Sequence, residues 1–354
     1  MASTRVIGLD IGSSAVRAAE LDFAGGARAG KAAPTLMRTG EVALPPGAVR
    51  DGEVIRPEVV SGALRQLWQE ARFDSKDVVI GVGNQRVLVR DLDLPWMPLH
   101  QLKSSLPFHV AEMLPMSSDE ALLDYHPLAE FDGPQGRTIH GMLVAAQRDT
   151  VNANIHAAED AGLRPLMVDL NGFALLRSLA HGELHGATVA FVDIGATVTT
   201  VVVAAQGDPR LVRNLPSGGQ NVTNSIASAA SVQPADAERL KREIGIGFAV
   251  APEHASAAEA IGTVVRTLVE GIRNTLVYYA GNNPGAGIDV IVLTGGGSHL
   301  PGLGQYLSSA SRLPVNLGDP LAPLRLAKSL NRQTLAGRES ALAIPIGLAY
   351  GVAA

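Results

Sequence analysis

The motif VIGLDIGSSAVR, at residues 6–17, is the strongest indication of the fold. An apolar run ends in an aspartate, a Gly-Ser-Ser turn follows, and a second apolar run begins, which predicts a strand, a tight turn and another strand. The same pattern returns as VAFVDIGATVTT at residues 189–200, so that Asp193 follows Asp10 by 183 residues. This spacing, close to the length of one domain, indicates two similar domains that arose by duplication and face a common cleft.

Composition limits the kind of protein that this can be. The chain has 354 residues, of which 46% are hydrophobic and 18% are charged, which supports two or three packed domains and excludes a disordered chain. A net charge of −5 argues against a nucleic-acid binder that depends on a basic surface. The absence of cysteine excludes disulfides, thiolate zinc sites, iron–sulfur clusters and a catalytic cysteine. The longest apolar regions are interrupted by polar residues or proline, so we expect a soluble protein.

The segments between and after the two copies predict a separate lobe and two helices. Residues 85–165 have the pattern of a separate lobe, with two strands and a helix after an amphipathic helix. Residues 166–182 predict a helix, and residues 256–280 predict a long amphipathic helix.

The two turns have the composition of an anion-binding site. Backbone N–H groups of a Gly-rich turn point into one concavity, and hydroxyl groups add donors, which suits phosphate. The residues concerned are Gly12, Ser13 and Ser14 in the first turn and Gly195, Ala196 and Thr197 in the second. Asp10 and Asp193 end the strands beside them, and a carboxylate pair suits hydrated Mg²⁺. The alternative for a single copy is a plain strand end with a tight turn, and the recurrence favours the phosphate site.

A third Gly-rich turn follows another apolar run. Thr294 is followed by Gly295, Gly296, Gly297 and Ser298, and adjacent glycines leave a bare surface on which a base or ribose can lie. A flexible turn is the alternative interpretation.

These motifs together resemble the actin-like ATPase superfamily, an α/β, ribonuclease H-like, two-lobed fold. Within it, the chain is similar to the FtsA-like PilM family of type IV pilus assembly proteins, because residues 92–125 contain a Leu-Pro-x-Met-Pro turn, an amphipathic helix and the Asp-Glu and Asp-Tyr pairs of that family. The resemblance implies a first actin-like subdomain at 1–84 plus 166–187 and an inserted partner-binding subdomain at 85–165. It implies a second lobe at 188–354, with a smaller subdomain at about 219–288.

The resemblance also implies a cofactor, ATP with Mg²⁺, and roles for particular residues. Asp10 and Asp193 hold Mg²⁺ through water, and Arg17, where the family usually has Lys, neutralises phosphate charge. The residues implied for the remaining contacts to phosphate, ribose and base are Gly218, Gly219, Glu238, Lys241, Gly295, Gly296, Gly297 and Ser298. For Glu238 and Lys241 the alternative is a solvated helix face.

One position departs from the family. Asn171 stands where related sequences place the Glu that orients the attacking water. An amide can orient water but is a poor proton acceptor, so we expect ATP binding with slow hydrolysis or none. The resemblance is compatible with a nucleotide-binding protein and with a weak ATPase.

The resemblance implies a partner, the N-terminal cytoplasmic tail of a PilN-like inner-membrane protein, bound in a groove between the first actin-like subdomain and the inserted subdomain. Pilus motor ATPases and a second copy of the chain are further candidates, whereas nucleic acid is not, and the membrane is reached only through partners. The candidate groove residues are Leu88, Leu92, Trp96, Met97, Phe108 and Met113, each with a core position as its alternative. A sugar kinase and an FtsA-like filament-forming division protein are the alternative functions. The expected location is the cytoplasm, at the inner face of the membrane.

Overall fold

Two large β-sheets organise the protein, and each takes most of its strands from one half of the chain. The computed structural model describes residues 3–24, 33–134 and 136–352. The first sheet has six strands in the spatial order β10-β6-β1-β2-β3-β16. Its strands are β1 (Ser3–Ile11), β2 (Ala15–Ala24), β3 (Thr35–Ala43), β6 (Asp77–Val82), β10 (Arg164–Leu170) and β16 (Arg325–Leu326).

The second sheet has five strands in the order β13-β12-β11-β14-β15. These are β11 (Thr188–Ile194), β12 (Thr199–Ala205), β13 (Asp208–Leu215), β14 (Val290–Thr294) and β15 (Val315–Leu317). A separate three-stranded sheet, in the order β7-β9-β8, consists of β7 (Val87–Pro95), β8 (Ala121–Gly133) and β9 (Gly136–Gln147). A small ribbon pairs β4 (Val49–Arg50) with β5 (Glu53–Val54).

Helices cover these sheets and connect them. They are α1 (Pro57–Ala71), α2 (Leu99–Val110), α3 (Arg148–Asp160), α4 (Asn171–Leu179), α5 (Glu183–Gly186), α6 (Gly219–Ala230), α7 (Pro234–Ile244), α8 (Ala255–Asn282), α9 (Leu303–Ser311), α10 (Arg332–Leu335) and α11 (Ala343–Tyr350). The predicted long amphipathic helix is confirmed as α8, whose apolar face packs into the core of the second lobe. Within the described ranges, none of the helices combines the length and apolar character needed to cross a membrane.

Both copies of the repeated motif form the predicted strand–turn–strand unit. β1 pairs antiparallel with β2 and places Asp10 opposite Arg17. β11 pairs antiparallel with β12 and places Asp193 opposite Thr200. The apolar runs before the aspartates are buried, as the burial of Leu9 and Val192 shows. Local sequence suffices here because apolar strands joined by a short Gly-containing turn have few other ways to bury their side chains.

Two segments that the sequence assigns to other subdomains pack on the first sheet. Helix α3, which was expected in the inserted subdomain, buries Ala157 and Ala158 in one cluster with Leu64 and Leu67 of α1, against the first sheet. The last segment of the chain, expected in the second lobe, also lies on the first sheet. There β16 pairs with β3, and Gly8 leaves room for α11, since a Cβ on Gly8 would lie 2.0 Å from the Pro345 carbonyl oxygen.

The helix predicted over 166–182 is partly wrong. Residues 164–170 form β10, which pairs in parallel with β6 at the edge of the first sheet, and the helix begins only at Asn171. Parallel pairing with a strand more than 80 positions away in the sequence overrides the local pattern.

Candidate functional site

The two repeated turns meet face to face between the lobes. The Ser13 Oγ and Thr197 Oγ1 atoms lie 2.7 Å apart, within hydrogen-bonding distance. The turns and their neighbours enclose a cavity of about 80 Å³. Predicted site residues that line it are Asp10, Gly12, Ser13, Ser14, Arg17, Asn171, Asp193, Gly195, Ala196, Thr197, Gly295 and Gly296. The tertiary structure therefore brings residues 183 positions apart in the repeat into one site.

Asp10 and Asp193 are the electrostatic centre of this cavity. Each side chain is 8% exposed. Burial raises the pKa of Asp10 to about 6, although the positive charge of Arg17 opposes the shift. Burial, with the nearby charge of Asp10, raises the pKa of Asp193 to about 7. Two buried carboxylates that repel each other are disfavoured when ionised, and a cation between them would relieve the repulsion.

The turns themselves are closed by backbone hydrogen bonds. Gly12 N–H donates to the Ala15 carbonyl, and Gly195 N–H donates to the Val198 carbonyl, each at 3.0 Å. The start of α6 contacts the second turn, where Gly219 N–H donates to the Gly195 carbonyl at 2.9 Å. A Cβ on Gly218 would lie 2.5 Å from the Gly195 carbonyl oxygen, so glycine is required for this close approach.

The third Gly-rich turn packs on the end of β11. Gly295 has a φ of 81°, and a Cβ there would lie 2.8 Å from Asp193 Oδ1. A Cβ on Gly297 would lie 2.4 Å from Ile194 Cγ2. Ser298 is buried and donates its hydroxyl to the Gly295 carbonyl at 2.7 Å, so it holds the turn together.

Glu238 and Lys241 lie beside the start of α6, outside the cavity that the aspartates line. Lys241 Nζ donates to the Gly219 carbonyl at 3.2 Å and pairs with Glu238 at 2.6 Å. Burial alone would raise the pKa of Glu238, but hydrogen bonds from Lys241, Thr223 and Arg242 outweigh it and lower that pKa. A Cβ on Gly219 would lie 3.7 Å from the Gly297 backbone, so α7, the start of α6 and the third turn form one continuous surface.

Arg17 is held at the cavity by a residue that the sequence did not reveal. Its Nε donates to Glu41 Oε2 at 2.6 Å, and Glu41 pairs with Arg338 at 3.3 Å. The register places Glu41 of β3 opposite Arg17 of β2, so strand pairing alone brings the two together.

Two asparagines contribute unpartnered oxygen atoms. The Oδ1 atoms of Asn171 and Asn154 are buried without a hydrogen-bond partner, and both residues line the cavity. Asn171 starts α4 and fits against Gly81 and Gly83, where a Cβ would lie within 2.0 Å and 2.8 Å of its side chain. Sequence analysis missed Asn154, although a polar residue on the buried face of α3 is a signal that could have found it.

The inserted subdomain exposes part of the predicted partner surface. Trp96 is 43% exposed and Phe108 is 87% exposed, and Met113 is also exposed. The other candidates, Leu88, Leu92 and Met97, are half-buried. Arg137 stacks on the Trp96 ring at 4.8 Å from its centroid.

Sequence analysis missed two further apolar residues near this region. Leu166 and Met167 of the edge strand β10 are exposed to 59% and 39%. The local sequence predicts a helix here, and their exposure on an edge strand is seen only in the tertiary structure.

Comparison with known proteins identifies the family to which the chain belongs. A family model described as type IV pilus assembly protein PilM matches residues 8–351. The solved PilM–PilN type IV pilus biogenesis complex is similar over 97% of both chains, with a TM-score of 0.84 and 26% identity. MreB5 of Spiroplasma citri bound to ADP is similar over 97% of this chain and 94% of that chain, and at a TM-score of 0.54 and 13% identity it shows the fold alone. The cell division protein FtsA of Bacillus subtilis is 26% identical over 110 residues, which span 31% of this chain and only 25% of FtsA. The predicted two-lobed actin-like fold is confirmed.

Proposed function

The chain belongs to the PilM family of type IV pilus assembly proteins, and from this premise we propose that it is a nucleotide-binding adaptor of pilus assembly. It binds ATP with Mg²⁺ between its lobes, and it binds the N-terminal cytoplasmic tail of a PilN-like inner-membrane protein. The observation that carries the nucleotide site is the meeting of the two turns, with Ser13 and Thr197 2.7 Å apart and two buried aspartates beside them.

The residues of the cleft fit a magnesium–polyphosphate group. Asp10 and Asp193 supply two carboxylates, and no cluster of three or more acidic or histidine side chains that could hold a metal occurs in the described parts of the chain. Mg²⁺ suits such a site because it keeps most of its waters and takes one or two protein carboxylates. When bound, the ion offsets the charge of the phosphates and of both aspartates.

The other residues are assigned by their position. Backbone N–H groups and hydroxyls of the two turns bind phosphate oxygens, and Arg17, oriented by Glu41, adds a charge-assisted donor. Glu238, Lys241 and the surface of the third turn, including Gly297, bind the nucleoside.

Admission of the polyphosphate requires the two turns to separate. The two turns touch through Ser13 and Thr197, and the cavity of about 80 Å³ that they line is small for a triphosphate. The Ser13–Thr197 contact must therefore break, and the lobes move apart as the nucleotide enters.

Hydrolysis is slow in this proposal. Asn171 and Asn154 direct neutral amide groups at the cavity, and neither can accept a proton from an attacking water at neutral pH. We expect purified protein to turn over ATP well below about 1 s⁻¹, the lower end of the usual range for kinases. Release of labelled phosphate under saturating Mg-ATP measures this rate, and turnover at or above that value would contradict the assignment of Asn171.

The partner surface lies on the inserted subdomain and the neighbouring edge of the first sheet. Trp96 and Phe108 offer apolar contacts, and β10 offers an open strand edge with exposed Leu166 and Met167. Peptide tails bind such surfaces by strand addition with side chains in apolar pockets. Bound in this way, the protein lies in the cytoplasm at the inner face of the membrane, where pilus motor ATPases and a second copy of the chain are further candidate partners.

Calorimetric titration with the tail peptide of the PilN-like protein of the same host, with and without Mg-ATP, tests this function. Micromolar or tighter binding supports the adaptor role, and no binding in either state refutes it. Trp96→Ala should weaken the peptide at least about 10-fold, as for an interface hot spot, and leave the melting temperature nearly unchanged because the ring is 43% exposed. Leu317→Ala, at an exposed residue of the other lobe, is the matched control.

A further inference from the structure

A second groove lies in the second lobe, away from the nucleotide cleft. It is enclosed by the last turns of α8, by the end of α9 and by the residues that follow α9, and its volume is about 540 Å³. Ile288 and Leu313, which line it, precede the parallel strands β14 and β15, whereas the third Gly-rich turn follows β14. The groove is therefore at the opposite end of the second sheet from the aspartate pair.

The groove combines an apolar floor with positive charge. The larger apolar residues that line it are Leu276, Val277, Ile288 and Leu313, of which Val277 is 59% exposed. The charged residues that line the groove are two exposed arginines, Arg273 and Arg312.

Both arginines are available to a ligand. Among the described residues, neither guanidinium makes an ion pair, although most other arginines in the structure do. The chain carries a net charge of −5, so the two arginines form a positively charged site on a protein that is negatively charged as a whole. Guanidinium groups bind carboxylates in bidentate geometry, and an acidic side chain beside apolar ones would match both the charge and the apolar surface of the groove.

We propose that this groove binds a short segment of a partner protein in which an acidic side chain is flanked by apolar ones. The apolar side chains lie on the floor that Leu276, Ile288 and Leu313 form, and the carboxylate pairs with Arg273 or Arg312. The volume matches the range of about 300–1,000 Å³ that is usual for ligand sites. Because the groove is at the opposite end of the second sheet from the cleft, this partner and a nucleotide can be bound at the same time.

The test uses the full chain and a phage-displayed library of random 12-residue peptides. Enriched peptides are synthesised with a fluorescent label, and their affinity is measured by fluorescence anisotropy. We expect the enriched set to carry Asp or Glu next to Leu, Ile or Phe. The double variant Arg273→Glu/Arg312→Glu should weaken these peptides at least 10-fold, and higher salt should weaken them as well. Ala280→Trp, which fills the groove without changing its charge, should have a similar effect.

Arg266→Glu is the matched control, because Arg266 is exposed on the same helix but does not line the groove. It should leave the peptides unaffected. Enriched peptides that bind the groove variants as well as the wild type would overturn the proposal, as would a basic consensus or no enrichment. A shift from dimer to monomer in the groove variants by sedimentation would also overturn it, since the occupant would then be a second copy of the chain.

Discussion

Replacement of Asp193 by asparagine should stabilise the ligand-free protein at alkaline pH and abolish its response to nucleotide. Burial and the charge of Asp10 raise the pKa of Asp193 from 3.8 to about 7. Between these two values the native state binds a proton that the unfolded chain has released. The free energy of unfolding therefore falls as the pH rises through this window, and the loss is complete above pH 7.

The magnitude follows from the two pKa values. Each pH unit between them corresponds to about 1.4 kcal/mol, so an ionised Asp193 costs the native state about 4 kcal/mol. About 2.5 kcal/mol of this cost appears between about pH 5 and pH 8. Asparagine carries no charge, so the stability of Asp193→Asn relative to the wild type should rise by this amount over the same interval. Because the prediction is a change with pH, any constant effect of the substitution cancels.

Urea unfolding of both proteins at about pH 5, 6, 7 and 8, without metal or nucleotide, measures this difference. Asp51→Asn is the matched control for loss of a carboxylate, because Asp51 is exposed and its positive φ of 53° suits asparagine. At pH 8, Mg-ADP at 100 times its dissociation constant should add about 2.7 kcal/mol to the wild type and much less to Asp193→Asn.

Two results would refute this reasoning. If the difference between Asp193→Asn and the wild type stays flat from pH 5 to pH 8, Asp193 carries no buried charge. If the difference decreases with pH, a cationic partner stabilises the carboxylate and the sign of the argument is wrong. If the difference rises with pH but Mg-ADP stabilises both proteins equally, the raised pKa of Asp193 is supported and its role in holding Mg²⁺ is refuted.

Two further predictions concern neighbouring residues. Arg17→Gln should weaken Mg-ATP binding about 10- to 100-fold in a calorimetric titration, since a hydrogen bond to a charged group contributes about 1.5–3 kcal/mol, whereas Arg17→Lys should retain most of the affinity. The lost pair with Glu41 should cost less than about 1 kcal/mol of stability. Gly81→Ala should lower the free energy of unfolding by about 1–3 kcal/mol, because its Cβ would lie 2.0 Å from Asn171 Oδ1. Gly62→Ala, in α1 with no neighbouring atom within 4 Å, should instead stabilise by about 0.5–1 kcal/mol.

Each of these has a result that would count against it. Equal loss of affinity in the glutamine and lysine variants would mean that the shape of Arg17, rather than its charge, matters to the phosphate. A Gly81→Ala protein as stable as the wild type would mean that Asn171 moves away at no cost, and its role in the cavity would then be in doubt.

The sequence by itself determined the two hairpins, the chemistry of their turns and the family. An apolar run that ends in Asp-Ile-Gly and a hydroxyl residue is a local pattern, and the nearest strand satisfies its backbone hydrogen bonds, as in β1–β2 and β11–β12. The duplication of the pattern at domain spacing was sufficient to predict that Asp10 and Asp193 meet. The long helix α8 could also be predicted from the sequence, because its apolar residues recur every three or four positions.

Only the tertiary structure decided which distant elements share a sheet and which polar groups are left without partners. Residues 166–170 became strand β10, and the chain end returned to the first sheet, because hydrogen bonding and burial there involve elements far away in the sequence. Glu41 reached Arg17 through strand register, and Asn154 reached the cavity through the packing of α3. The physical reason is that burial and hydrogen-bond satisfaction depend on every neighbour at once, and a single stretch of sequence contains only one side of each contact.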